Sequence, residues 1–419
     1  MTLLVLFVVF LLLDLSIRSY LALRQIRHVR AHRDQVPNEF SHYISLRSHQ
    51  RAADYTMART QFNLLETLTE TSLLICLTLL GGLQWLNLFW AHHINNDMAR
   101  QLVLIGSVFG LMGLVQLPFS LWRTFKLEQR FGFNRMTFSL FISDQFKGLL
   151  VGLLLGLPLI SAVLWLMDTA GQSWPWWVWG IWVSFSLFIM WLFPSVIAPL
   201  FNKFKPLERE SLQTRINALI QRCGFSLDGL FVMDGSKRSA HGNAYFTGIG
   251  RHKRIVFFDT LLNKLNDEEI EAVLAHELGH FKHRHILKRM LISFAMALVF
   301  LLLLGWLSEQ VWFYSNLGVL PLLGRANDGL ALILFFLTMP VLTFWVGPVF
   351  SFLSRKDEYQ ADTYAAQQSA PEHLVQALLK LYDDNAATLT PDPLHSAYYD
   401  SHPPAIQRVQ FLKKLYEAY

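Results

Sequence analysis

Seven stretches of this chain are long and apolar enough to cross a bilayer, at roughly 2–21, 68–90, 102–122, 148–167, 176–201, 290–313 and 330–353,. A hydrocarbon core offers no water to an unpaired backbone, so each run is driven into a helix that satisfies its own peptide groups. The expectation is a mainly α, polytopic membrane protein with seven transmembrane helices. Composition agrees, since 53% of the 419 residues are hydrophobic and 16% are charged, whereas soluble domains carry about a quarter charged residues. Mean hydropathy is +0.32. The first run, TLLVLFVVFLLLDLSI (2–17), lacks a basic leader and a small-residue cleavage site, and Arg18 follows it directly. It reads as an uncleaved span. Pro194 and Pro199 are expected to bend the fifth run or stop it early,.

The loops carry a second signal. After the first span come eight arginines (Arg18, Arg24, Arg27, Arg30, Arg33, Arg47, Arg51 and Arg59), and the next loop holds only Arg100. Loop 123–147 is basic again, loop 168–175 has no Lys or Arg, segment 202–289 is basic, loop 314–329 has Arg325 alone, and the tail is basic. Basic and neutral loops alternate, as the positive-inside rule requires for an odd number of spans with the N-terminus outside and the C-terminus in the cytoplasm. The net charge of +5 is therefore a topology signal, and no nucleic-acid partner is expected. Cys76 and Cys223 are the only cysteines, so neither a disulfide nor a Cys-based metal site is expected.

The chain divides into residues 1–201 with spans one to five, a cytosolic segment 202–289, residues 290–353 with spans six and seven, and a cytosolic helical segment 354–419. Within the second segment, 229–235, 243–250 and 253–262 read as short strands, the last two forming a hairpin that turns at 248–252,. Asn266 and Asp267 cap a helix that runs through AVLAHELGHFKH (272–283),. The tail reads as helices broken at 391–393 and 403–404.

His276 and His280, four residues apart, aim two imidazoles at one point, with Glu277 placed to reach a metal-bound water,. Alone, this motif is also compatible with a solvated polar helix face. A catalytic zinc of this kind takes two histidines, one carboxylate and a water. SRKDEYQADTYA (354–365) supplies Glu358, with Asp362 one turn on to hold a ligand histidine in its tautomer,. Two spans separate Glu358 from the histidines, so both pieces return to the same side of the membrane. His283 shares the ligand face, but a catalytic zinc keeps its fourth position open.

HELGH (276–280), SRKDEYQAD (354–362), KRSAHGNAYFTG (237–248), RIVFFDTLL (254–262), FGFNRMT (131–137), PLFNKF (199–204) and SHPPAIQRV (401–409) stand in this chain in the order found in the integral-membrane zinc CAAX prenyl proteases of type I. The chain resembles that family from about residue 60 onward. Phe281 departs from the tryptophan usual there, and the first loop is uninformative. The resemblance implies helices around an intramembrane chamber, a small α+β cytosolic zinc-peptidase portion, and one Zn2+ per chain held by His276, His280 and Glu358. Glu277 would be the catalytic base and His402 the group that steadies the substrate carbonyl. Asp362 and Arg408 would support the site, and Asn243, Ala244 and Tyr245 would meet the substrate backbone.

The residues agree in part. NAYF lies on an expected edge strand, where an extended peptide can add. A histidine before Pro-Pro sits on a stiff turn, although a surface histidine is equally open there. His285 lies in the same family motif, which suggests packing or support.

The implied reaction removes the last three residues of a CAAX peptide after its prenylated cysteine, on substrates that stay in the lipid bilayer. The membrane would be that of the endoplasmic reticulum or the bacterial inner membrane, with the active site facing the cytoplasm. Broader membrane-protein quality control is the alternative, followed by a transporter with a structural zinc. The latter usually shows repeats and midplane charges, which are sparse here.

Overall fold

The structure, a computed structural model, describes residues 2–247 and 254–417. Five helices are long and apolar enough to cross a membrane: Thr2–Ala31, Asp97–Glu128, Phe138–Thr169, Gly171–Phe201 and His285–Ser308. Two further pairs, Leu46–Leu77 with Gly82–His93 and Asp328–Leu342 with Phe344–Gln368, are bent by 52° and 50°. Counting each bent pair as one crossing gives the seven expected. In the five unbroken spans no more than 17% of the most apolar window is buried. Large side chains such as Leu114, Leu154 and Phe352 lie exposed. Helices that bury so little of themselves leave most of their apolar surface to lipid or to space between the spans.

The prolines bend the fifth span without stopping it. Helix Trp174–Leu192 widens into a π turn at Phe193–Ile197 and continues as Ala198–Phe201. Pro194 has no N–H to give, and the wider turn accommodates the missing bond. The lone basic residues of two of the neutral loops share one carboxylate. Arg325 Nε lies 2.8 Å from Asp97, and buried Arg100 reaches Asp97, Asn87 and the Ala326 carbonyl. These contacts clamp the two neutral loops together.

Residues 204–258 supply a four-stranded sheet of order β1-β2-β4-β3. The strands are β1 (Phe204–Pro206), β2 (Gly229–Met233), β3 (Ala244–Thr247) and β4 (Arg254–Phe258). β2 and β4 run parallel, and β3 pairs antiparallel with β4 as the hairpin reading required. The expected turn at 248–252 lies outside the described residues. β1 was not legible as a strand, being three residues long and ended by proline. The third expected strand was too long, because Asp259 accepts from the N–H of Ser236 and Thr260 and starts the helical turn Asp259–Leu262.

The extramembrane core forms where helix Glu210–Arg222 buries Leu212, Ile216 and Leu219 along one face, against Ile255 and Phe257 of β4. The same core takes in Leu274 and Leu278 of the histidine helix and Leu374 and Leu378 of the tail. Tail helices Pro371–Asp384, Pro393–Tyr399 and Ala405–Glu417 match the proline-punctuated reading. Pro371 and Pro393 occupy first-turn positions, where the missing N–H costs nothing.

Candidate metal centre

Helix Asp267–Lys282 carries the HELGH motif and begins on a reciprocal cap. The Asn266 side chain accepts from the Glu269 N–H while the Glu269 carboxylate accepts from the Asn266 N–H,. Lys380 on the tail then pairs with Glu269 at 2.7 Å. Helix Gly347–Gln368 lies across the motif, and Gly279 permits the approach. A Cβ there would stand 2.8 Å from Ala361 Cα, so any larger residue would force the helices apart. After His283, Arg284 turns the chain in the left-handed conformation, φ 56°. The next helix, which begins at His285, is a membrane span. The motif therefore stands at the border of the bilayer.

The crossing brings His276, His280 and Glu358 together, with one donor atom from each inside 4.8 Å. His276 Nε2 and His280 Nε2 are 3.3 Å apart. Glu358 places Oε2 3.4 Å from the first and Oε1 3.4 Å from the second. Four ligands about 2.1 Å from a tetrahedral ion lie about 3.4 Å from one another. With both imidazoles protonated on Nδ1, the two Nε2 lone pairs face each other across a position that suits a cation, and buried Glu358 Oε2 has no hydrogen-bond partner. The three residues fit a tetrahedral divalent ion.

Behind His276 stands a charged pair. Nδ1 lies 2.8 Å from Asp362 Oδ1, and Arg408 grips both Asp362 oxygens at 2.7 Å. With Nε2 turned to the ion, Nδ1–H donates to Asp362, which sets the tautomer. Burial and the Arg408 charge disfavour a protonated His276. Hydrogen bonds to Asp362 and Glu358 outweigh them, and its pKa is raised. Burial likewise opposes the Arg408 charge, and the Asp362 carboxylate more than compensates, raising that pKa too. A pocket that favours positive charge on its own imidazole is prepared for a cation.

The remaining expected residues fall around this centre. Glu277 is half-buried on the motif helix. His402 is exposed, with Nε2 3.4 Å from Glu358 Oε1. Asn243 immediately precedes β3, and Ala244 and Tyr245 open it on one edge of the sheet. Phe246 of that strand packs edge-on to Phe281, the residue after His280, at 4.8 Å. His283 is not in the ligand cluster and stacks on His285 instead. His285 is buried, with Nδ1 3.0 Å from His280 Nδ1 and Nε2 2.9 Å from Gln360 Oε1. His241 is also accounted for, stacked on Phe133 and hydrogen-bonded to Asn385. Sequence reasoning missed Gln360 and gave Gly279 no role. The glycine inside a buried helix was the available signal.

The family comparisons cover both the membrane spans and the segment that carries the centre. Residues 25–203 match the model of the CAAX prenyl protease N-terminal region with five membrane helices, and residues 206–416 match that of peptidase family M48. The chain belongs to the CAAX prenyl proteases of family M48. An Arabidopsis thaliana CAAX prenyl protease 1 homolog is 32% identical over 94% of this chain and 93% of its own length. CAAX prenyl protease 1 of Saccharomyces cerevisiae is 36% identical over 76% and 73%. The crystal structure of S. mikatae Ste24p superposes with a TM-score of 0.91 at 31% identity, covering 98% of each chain. The prenyl-protease fold thus spans both the membrane helices and the HELGH centre, and the protein is a multi-pass membrane metallopeptidase.

Proposed function

We propose that this chain is a zinc endopeptidase that cleaves CAAX-type substrates on the cytoplasmic side, releasing the C-terminal tripeptide after a prenylated cysteine. His276, His280 and Glu358 would hold one Zn2+, and Asp362 and Arg408 would fix His276. The observation that carries this reading is the tetrahedral spacing of the three donor atoms. Zinc, when bound, supplies Lewis acidity and a nucleophile at neutral pH. The Glu277 carboxylate takes a proton from the attacking water and returns it to the leaving amine nitrogen. His402 donates from Nε2 to the carbonyl oxygen as charge builds there. The substrate backbone extends beside β3, where Asn243, Ala244 and Tyr245 align it as an added strand.

Family membership of full-length relatives whose printed names are CAAX prenyl proteases supports the substrate class. So does an intramembrane chamber of the kind the family fold implies, which would let a prenyl chain stay in an apolar setting while its peptide reaches the centre. The alternation of basic and neutral loops supports the cytoplasmic orientation. A reporter fused after residue 94 should lie outside and one at residue 240 in the cytoplasm, and the reverse would overturn the orientation. The substrate test compares one CAAX peptide with and without its prenyl group, with Glu277→Gln as control. Cleavage of the prenylated form alone, lost in the control, is expected. Equal cleavage of both forms would favour general turnover of membrane proteins.

A further inference from the structure

Arg355 stands one helical turn before Glu358 on helix Gly347–Gln368. Its Nη1 donates to the Asp400 carbonyl at 2.7 Å and to the Ser396 carbonyl at 3.4 Å. The Ser396 carbonyl already receives the Asp400 N–H that closes the short helix Pro393–Tyr399, and the Asp400 carbonyl just beyond is left open. A cation at a helix C-terminus satisfies carbonyls that the last turn leaves open. What makes this cap unusual is the chain that follows. His402 comes two residues after Asp400, and Pro403 and Pro404 stiffen the next two positions,. Two residues reach about 7 Å at most, so a fixed Asp400 carbonyl leaves His402 little room to wander.

The imidazole is constrained on its other side as well. Ser401 Oγ lies 3.0 Å from His402 Nδ1. Donation from that hydroxyl to Nδ1 leaves the proton on Nε2, the nitrogen that faces Glu358,. The far end of the short helix is held separately. Asp392 accepts from the N–H of Leu394 and His395 and pairs with Arg24. With that end anchored elsewhere, Arg355 and the Tyr398 hydroxyl, which donates to the Phe344 carbonyl at 3.3 Å, hold the end that leads to His402, and of the two only Arg355 reaches the Asp400 carbonyl.

We propose that Arg355 is a positioning residue for the peptidase reaction. It ties the His402 loop to the helix that supplies Glu358, so that the carbonyl-stabilising donor and the carboxylate keep one spacing. This rests on the reading of His402 as that donor. Displacing an aligned group by about 1 Å can cost on the order of 100-fold in rate.

The test is a double-mutant cycle with the full-length, detergent-purified, metal-loaded chain and a farnesylated CAAX peptide. Arg355→Ala should lower kcat about 10- to 100-fold, with KM and metal content unchanged. Arg355→Lys, which can still donate to the Asp400 carbonyl, should recover part of the loss. His402→Ala should lower kcat about 100- to 1,000-fold, and adding Arg355→Ala to it should cost nothing more. If Arg355→Ala costs the same factor with and without His402, the proposal is overturned and the His402 reading survives. Loss of metal from both Arg355 variants would also overturn it by making the residue structural. If His402→Ala keeps full kcat, the reading beneath the proposal has failed, and the proposal with it. Should Arg355→Ala not fold, the Lys variant carries the same cycle with a smaller expected loss.

Discussion

The membrane spans and the extramembrane fold obey different packing rules. In the least buried span only 6% of the apolar window is inside the protein, whereas Leu212, Ile216, Leu219 and Ile270 outside the membrane are fully buried. A span needs only to be apolar and long, because lipid accepts its side chains and the helix satisfies its own backbone. The extramembrane part must exclude water from its core and, around Glu358, hold charge in a space with little solvent. The polar residues at the centre are consequently placed atom by atom: His276 meets Asp362, Asp362 meets Arg408, and Glu358 faces both imidazoles. Position in the spans is loosely coded, and position in the metal centre is tightly coded.

That contrast can be broken in several places. The largest effect is expected at Glu277. Replacing it with Gln removes the proton carrier and should lower turnover about 100- to 10,000-fold, leaving fold and metal content unchanged by circular dichroism and metal analysis. Retained turnover would take Glu277 out of the base role. Next, Leu219→Ala empties a core site and should cost about 2–5 kcal/mol in unfolding measurements. Leu154→Ala, 75% exposed on a span, should stay within about 0.5 kcal/mol. Equal costs would show that the two regions pack alike. Gly279→Ala puts a Cβ 2.8 Å from Ala361 Cα and should cost about 1–3 kcal/mol, with weakened metal retention in a chelator titration. A comparable effect is expected for Asp362→Asn, which keeps the shape but loses the charge opposite His276. Metal affinity should fall about 10- to 100-fold, and an unchanged affinity would mean that Asp362 does not tune the ligand.

The two regions also differed in how well they could be read. The spans were legible because a membrane crossing is a one-dimensional property. Run length located all seven, and loop charge ordered them. The bends at 52° and 50° were not read, although the first falls at Gly81, φ 76°, and the second follows Pro340. His276, His280 and Glu358 were legible from the helical period and from the span count between them, which returns both pieces to one side. Arg408 and His402 came only from family resemblance, because no periodicity links residue 408 to residue 276. Arg355 and Gln360 escaped notice inside a motif whose glutamate drew the attention. Their partners, the Asp400 carbonyl and the His285 ring, lie on separate pieces of chain that only folding brings near. β1 escaped for a similar reason: three residues paired with β2 carry no pattern of their own.

The most direct measurement is zinc stoichiometry in the purified full-length chain beside its Glu358→Ala variant, with the metal's ligands read by X-ray absorption. One zinc per chain in a two-imidazole, one-carboxylate shell, lost in the variant, is the expected result. A metal-free protein that still cleaves peptide, or a variant that keeps its zinc in the same shell, would contradict it.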